Sequence, residues 1–335
     1  MEPMNRRAIL RAAGAGAAAW ALAGCTSGGA GGGAGGGAAR SGPAGPSAAG
    51  ADAAAKPSAA LPPEGRFVDL PTGIRMYYEV HGDRGEPFLL LGGTGSDHGL
   101  WTHHLPEMTK RWRVITPDPR GTGRTTSPAN FAANSMRLMA EDAAGLLDHL
   151  GMGPAHVAGL SLGSAVAMEL GAARPDLVRS LHLHGAWARS DRWFIEMMEI
   201  MEYPARLGDL RGFLRLALPC ILSRSFLNDE AAVAAIFRGF FDENPAPPNR
   251  EGILGMIHAD KTHDATPRLH LVKAPTLVAT GENDIQVRPE YGKEVADGIA
   301  GARFHLFRGP LASHCSCLEL PDEFLALTHR FVDGI

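Results

Sequence analysis

A serine between two glycines, at the junction of a strand-like and a helix-like segment, constrains the fold of this chain most. Residues 156–160 are mostly apolar and predict a buried strand, and residues 162–170 have the small and apolar residues of a packed helix. Ser161 lies at the turn, with Gly159 two residues before it and Gly163 two residues after it. Glycines at this spacing let strand and helix approach closely, while the serine takes a strained backbone conformation. The segment predicts a serine hydroxyl at the end of a strand, beside the N-terminus of a helix.

Segments with strand-like and helix-like patterns alternate along the rest of the chain. Two alternating runs predict an opening hairpin, and six mainly apolar runs predict strands that are buried on both faces. The eight runs are residues 66–70, 74–80, 87–91, 112–116, 156–160, 178–184, 276–280 and 303–307. This order is typical of an α/β fold, with a mostly parallel eight-stranded sheet flanked by helices. The loops at the carboxyl ends of the strands are then the expected place for functional groups.

The alternation stops between about residues 187 and 270, where no strand-like run occurs. We expect four helices in this segment, with Trp193, Met197 and Met201 on one face of the first. They would form a helical lid, inserted after the sixth strand and lying over the strand ends. Its many Met and Phe residues predict an apolar and adaptable pocket.

The first residues of the chain have the pattern of an export signal. Arg6 and Arg7 precede a weakly apolar stretch rich in Ala and Gly, which is typical of twin-arginine signals. The signal ends at Leu22-Ala23-Gly24-Cys25, which resembles the lipobox of bacterial lipoproteins. That resemblance implies lipidation of Cys25 and anchoring to the outer face of the bacterial cytoplasmic membrane. The alternative is an ordinary cleaved signal, spanning residues 1–25, and a secreted protein.

Residues 26–63 consist almost entirely of Gly, Ala, Ser and Pro. Such a stretch cannot bury enough apolar surface to fold, so we expect a disordered tether and a folded domain at residues 64–335. The formal net charge is -4 and no basic run occurs, so the sequence does not indicate nucleic-acid binding. Membrane contact is expected only through the lipid anchor, and the sequence leaves the oligomeric state open.

The order of elements and the turn at Ser161 together resemble the α/β-hydrolase family, over about residues 66–335. The resemblance implies a nucleophile at the turn, then an acid, and then a histidine near the end of the chain. Asp284 matches the acid, because it follows a buried strand in the sequence Gly-Glu-Asn-Asp. His314 matches the base, because it follows the last strand and precedes Glu319 by five residues.

Other residues compete for these roles or depart from the family pattern. Glu282 and Asp191 are alternative acids, since each also follows a predicted strand. Ser164, one helical turn after the nucleophile, is expected to be a packing residue. The family usually has glycine before the catalytic histidine, and this chain has Ser313 there.

The resemblance also implies an oxyanion hole made of two backbone N–H groups. One is that of Leu162, the residue after the nucleophile, and the other is that of Thr94, in the loop after the third strand. Relatives usually have His-Gly in that loop, where this chain has Gly92-Gly93. The glycine-rich loop at residues 118–124 also resembles a family loop, and we interpret it as structural.

The cysteines of the domain leave two possibilities open. Cys220 could pair with Cys315 or Cys317 in an oxidising compartment, or all three could be buried free thiols. No cysteine or histidine spacing typical of a metal site occurs, so we expect neither a metal nor a cofactor.

These residues predict a serine hydrolase, similar to esterases and lactonases, that cleaves carboxylic esters or lactones through an acyl-enzyme on Ser161. The expected substrate is a small ester or lactone with an apolar part. Alternatively, the same triad could hydrolyse C–C bonds or small amides and peptides, or catalyse cofactor-free perhydrolysis. A non-catalytic surface lipoprotein on the same scaffold is a further alternative. Arg192, Arg206 and Arg224 could contact a substrate carboxylate or could simply be solvated.

Overall fold

The computed structural model describes residues 65–126 and 130–335. Eight strands lie within these residues: β1 Arg66–Asp69, β2 Arg75–His81, β3 Pro87–Leu91, β4 Arg113–Pro117, β5 Ala155–Leu160, β6 Val178–His184, β7 Thr276–Gly281 and β8 Arg303–Phe307. The α-helices of the described chain are α1 Leu105–Met108, α2 Met136–Leu150, α3 Leu162–Ala173, α4 Arg192–Arg206, α5 Leu210–Ile221, α6 Arg224–Leu227, α7 Glu230–Phe237, α8 Arg250–Thr262, α9 Pro289–Gly298, α10 Ser316–Glu319 and α11 Pro321–Asp333.

The strands form one sheet in the order β1-β2-β4-β3-β5-β6-β7-β8. β2 is antiparallel to both β1 and β4, and the pairs from β4 to β8 are parallel. All residues of β5 and β7 are buried, as expected for parallel strands covered on both faces by helices. The predicted fold class, an α/β hydrolase fold with an eight-stranded, mostly parallel sheet, is confirmed.

Five α-helices, α4 to α8, lie between β6 and β7, with a π-helical turn at Arg238–Asp242. The sequence predicts four helices here; the additional one is the short α6. The sequence places Trp193, Met197 and Met201 on one face of α4, whereas the buried residues of this helix include Phe194, Met198 and Met201, and Trp193 is 41% exposed. Both sets recur at helical spacing, so periodicity alone does not distinguish them. Phe194 is the residue turned inward, where its ring stacks on that of Trp187 at 4.7 Å between centroids.

The predicted export signal, Cys25 and the tether at residues 26–63 lie outside the described residues, and they stay predictions. Among the residues that the structure describes, no helix combines the length and the apolar character needed to cross a membrane.

The core of the described chain buries several imidazoles, and one of them is that of His184, the last residue of β6. Neither of its ring nitrogens has a hydrogen-bond partner within the described residues. The ring lies against Phe324, at 5.0 Å between centroids. Burial in this apolar surrounding lowers the pKa of His184 from 6.5 to about 3. The imidazole is therefore neutral in the folded protein at pH values where it is charged in the unfolded chain.

We expect His184→Leu to stabilise the fold more at pH 5 than at pH 8. Between pH 3 and 6.5 the unfolded chain binds a proton at His184 that the folded protein does not, so this residue lowers stability as the pH falls. Leucine removes that loss, and the backbone carbonyl of residue 184 is retained. Urea unfolding of both proteins at the two pH values measures the difference. A stability change of the same size at pH 5 and pH 8 would contradict the assignment.

Candidate active site

Ser161 lies in a strained turn between β5 and α3, as the sequence predicts. Its backbone has φ 56° and ψ -121°, and no other non-glycine residue of the described chain has a positive φ. A Cβ atom at Gly163 would lie 2.4 Å from the carbonyl oxygen of Leu91, and one at Gly159 would lie 2.2 Å from the backbone of Gly163. The two glycines are therefore required by close backbone contact. A hydrogen bond of 2.8 Å from the Ser161 N–H to the His184 carbonyl holds the turn to β6.

The strain at Ser161 predicts a stability difference between two variants that both lose the hydroxyl. A side chain in this conformation costs about 1–3 kcal/mol, and glycine avoids that cost. Glycine also gives the unfolded chain more conformational entropy than alanine does, which offsets about 0.4–1 kcal/mol of that advantage. We therefore expect Ser161→Gly to be more stable than Ser161→Ala by about 1 kcal/mol in urea unfolding. Equal stability of the two variants would show that the turn is not strained.

His314 lines the same cavity as Ser161 and contacts Asp284. His314 Nδ1 and Asp284 Oδ2 are 2.7 Å apart, and both side chains are buried. The other carboxylate oxygen, Oδ1, accepts the backbone N–H groups of Gln286 at 3.0 Å and Val287 at 2.8 Å. Since a carboxylate only accepts, His314 Nδ1 donates to it and Nε2 is left with a free lone pair. Nε2 has no hydrogen-bond partner within the described residues.

The two alternative acids are used elsewhere in the fold. Asp191 caps the N-terminus of α4 by accepting the Phe194 N–H, and it also accepts the Tyr291 hydroxyl at 2.8 Å. Glu282 accepts the Gly309 N–H at 2.6 Å and is exposed. Asp284 is thus the predicted acid that the structure places against the imidazole.

The residues predicted to form the oxyanion hole lie on two sides of Ser161. Leu162 is the first residue of α3, so its N–H has no acceptor within the helix. The loop after β3 passes close by, since a Cβ atom at Gly93 would lie 3.4 Å from Cβ of Ser161. Thr94 follows in that loop and lines the same cavity as Ser161 and His314.

Asp260 of α8 holds the Thr94 side chain, an interaction that sequence reasoning missed. The Thr94 hydroxyl donates to Asp260 Oδ2 at 2.7 Å, while Oδ1 has no partner within the described residues. Burial raises the pKa of Asp260 to about 7, and the Thr94 hydrogen bond and the charge of His314 act in the opposite direction. In the sequence this residue appears only as a polar position in a helix, followed by Lys261.

Asp260→Asn is expected to stabilise the protein more at pH 8 than at pH 5. An ordinary aspartate has a pKa of 3.8, and the pKa of Asp260 in the folded protein is about 7. Between pH 3.8 and pH 7 the folded protein therefore binds a proton at Asp260 that the unfolded chain does not. Stability is therefore lost as the pH rises through this range. Asparagine cannot ionise, and it keeps an oxygen that accepts the Thr94 hydroxyl. Urea unfolding at both pH values measures the effect. A loss of stability that is the same at both values would instead indicate a general packing defect.

The loop around His314 is fastened to the helical insertion. The Cys315 N–H donates to the Ile221 carbonyl at 3.0 Å, and the Ser313 hydroxyl oxygen lies 3.0 Å from the same carbonyl. Glu319 accepts hydrogen bonds from the hydroxyl groups of Ser313 and Ser223. Serine at position 313, where the family usually has glycine, thus has a structural role here.

Ser164 and the three cysteines of the domain are the remaining residues that the sequence analysis considered. The Ser164 hydroxyl contacts the carbonyls of Gly159 and His184 at 2.7 Å each, which agrees with a packing role. Cys220, Cys315 and Cys317 are free thiols in the structure.

The loop at residues 118–124 is held by internal hydrogen bonds. Asp118 accepts the backbone N–H groups of His98 at 2.8 Å and Arg124 at 2.7 Å. Arg120 binds both carboxylate oxygens of Asp142 at 2.6 Å. Potential ligand atoms of Asp97, His98 and Asp118 lie within 4.8 Å of one another, and His98 Nδ1 is already bonded to Asp118 at 2.6 Å. These contacts fit the structural role that the sequence predicts for the loop.

The cavity at Ser161 has a volume of about 60 Å³. Its far wall is apolar and comes mostly from the helices between β6 and β7. The apolar side chains of the whole lining are Leu100, Leu160, Met198, Met201, Phe213, Ala217, Ile221, Ile257 and Leu318. None of Arg192, Arg206 and Arg224 belongs to the lining. A lining of this character suits a mostly apolar and uncharged molecule.

The sequence profile of the alpha/beta hydrolase fold matches residues 86–319, more than half of the chain. This chain belongs to the α/β-hydrolase family. It is 31% identical over 254 residues to a protein of Azorhizobium caulinodans named "Putative carbamate hydrolase RutD", covering 74% of this chain and 91% of that protein. Two solved structures are similar along most of their length. An enol-lactonase from Burkholderia xenovorans has a TM-score of 0.72 and 25% identity, covering 80% of this chain and 100% of that one. A thermophilic esterase from Thermogutta terrifontis has a TM-score of 0.68 and 28% identity, covering 81% and 98%.

Proposed function

We propose that this α/β hydrolase is a serine hydrolase of carboxylic esters or lactones, with Ser161, His314 and Asp284 as its catalytic triad. The observation that carries the proposal is the buried bond of 2.7 Å between His314 and Asp284, beside a serine held at positive φ. The apolar cavity and the likeness to a lactonase and an esterase support the substrate class.

The proposed reaction begins when His314 Nε2 removes the proton of the Ser161 hydroxyl, which attacks the carbonyl carbon. Asp284 keeps the imidazole in the tautomer with its proton on Nδ1, and it stabilises the imidazolium that forms. The N–H groups of Leu162 and Thr94 stabilise the negative oxygen of the tetrahedral intermediate.

His314 then gives its proton to the leaving alcohol, and the acyl group stays on Ser161. A water molecule activated by the same imidazole attacks this acyl-enzyme and releases the carboxylic acid. The residues of the chain supply every proton transfer in this scheme, so it requires no cofactor.

Hydrolysis of a small amide or carbamate by the same triad is the second candidate. The likeness to a protein named as a carbamate hydrolase favours it. In both reactions Ser161 attacks a carbonyl carbon. The difference is that His314 protonates a leaving amine instead of a leaving alcohol. Rates on an ester and on the amide with the same acyl group separate the two candidates.

We expect Ser161→Ala to abolish labelling by a fluorophosphonate probe and to lower the turnover of 4-nitrophenyl butyrate by at least about 10³-fold. Only a serine activated by a base reacts readily with such a probe. Ser164→Ala is the matched control, because it removes a buried hydroxyl that does not face the cavity. The control should still be labelled. Labelling or turnover that survives in Ser161→Ala would refute the proposed nucleophile.

A further inference from the structure

Gln286 lines the cavity, and the catalytic scheme does not use its polar side chain. Only 6% of the residue is exposed, and it lines the cavity together with Ser161 and His314. Its backbone N–H donates to Asp284, so the backbone position is fixed by the acid of the triad. Its side-chain oxygen Oε1 is buried and has no hydrogen-bond partner within the described residues.

Two hydroxyl groups of the lining, those of Thr94 and Ser96, already have partners. The Thr94 hydroxyl donates to Asp260, and the Ser96 hydroxyl donates to the Gly93 carbonyl at 2.7 Å. Among the described residues that line the cavity, two have a buried side-chain nitrogen or oxygen without a partner, namely His314 and Gln286. The unpaired atom of His314 is the one that the proposed reaction uses, and the unpaired atom of Gln286 has no assigned function.

A buried amide oxygen without a partner is unfavourable, because it has lost its hydrogen bonds to water. We propose that Gln286 is a specificity-determining residue, which binds a neutral hydrogen-bonding group on the acyl part of the substrate. The inference rests on the proposed ester or lactone hydrolysis, and it narrows the substrate class. The substrate has an apolar body that contacts the far wall, and a hydroxyl or amide group that contacts Gln286.

The character of the partner group follows from the side chain and its surroundings. An amide offers both an acceptor and donors, so it pairs best with a group that also has both, such as an amide or a hydroxyl. No Lys, Arg, Asp or Glu side chain belongs to the described lining of the cavity, so nothing there compensates a charged substituent. A neutral amide or hydroxyl is therefore the group that fits.

The test compares two kinds of ester on one enzyme preparation. The first kind has an amide, as in the 4-nitrophenyl esters of N-acetylglycine and N-acetyl-β-alanine. The second kind has only methylene groups, as in 4-nitrophenyl pentanoate and hexanoate. The measured quantity is the ratio of kcat/KM for the amide ester to kcat/KM for the plain ester of similar length. Because both substrates meet the same preparation, loss of folded enzyme cancels from the ratio.

We expect Gln286→Met to lower this ratio by about tenfold for at least one of the two pairs, since one neutral hydrogen bond is worth about that factor. Methionine has a similar length and retains the backbone N–H that binds Asp284. Ile285→Met is the matched control, because Ile285 lies in the same loop but is 52% exposed and outside the lining. The control should leave the ratio as it is in the unaltered protein.

Two results would overturn the inference in distinguishable ways. If plain esters are hydrolysed and Ser161 is labelled, but Gln286→Met leaves both ratios unchanged, the specificity role is wrong and the proposed function stands. If the unaltered protein is neither labelled nor active on any of the four esters, the proposed function fails and the inference fails with it.

Discussion

The backbone contact between β5 and α3 is the constraint on which the rest of the site depends. At Gly159 and Gly163 the neighbouring backbone leaves space for hydrogen atoms only. This contact holds Ser161 at positive φ and places the N-terminus of α3 beside its hydroxyl. The backbone of β3 at Leu91 touches Gly163, so the loop that follows β3 is positioned by the same contact. One packing arrangement thus positions the proposed nucleophile and the loop that contains the proposed second oxyanion donor, Thr94.

Two carboxyl groups near the cavity, those of Asp284 and Asp260, are buried, and they accept different numbers of hydrogen bonds. Asp284 accepts hydrogen bonds from His314 and from two backbone N–H groups. Asp260 accepts one from Thr94, and its second oxygen has none within the described residues. Burying a charge is costly unless it is paired and hydrogen-bonded, which explains why the pKa of Asp260 is raised to about 7. Asp284, which accepts the larger number of hydrogen bonds, is the carboxyl group bonded to the imidazole of His314.

The sequence predicted the sheet well because parallel strands buried on both faces appear as short apolar runs. The predicted runs at residues 178–184 and 303–307 coincide with β6 and β8. Helical spacing alone does not identify the buried face of α4, since Trp193 and Phe194 fit it equally and only Phe194 is buried. Asp260 and Gln286 could not be found in this way. The Thr94–Asp260 bond joins residues 166 positions apart, and the unpaired state of Gln286 exists only once the cavity is formed.

The hydrogen bonds from the His314 loop to Ile221 and Ser223 connect the proposed base to the helices that line its cavity. Ile221 ends α5, and α5 also provides Phe213 and Ala217 to the apolar wall. The segment that contains His314 is bound to this helix end at Ile221 and, through Glu319, at Ser223, and on its own side of the fold to Asn283 and Asp284. A substitution that shifts the end of α5 would therefore change the wall of the cavity and one support of the imidazole together.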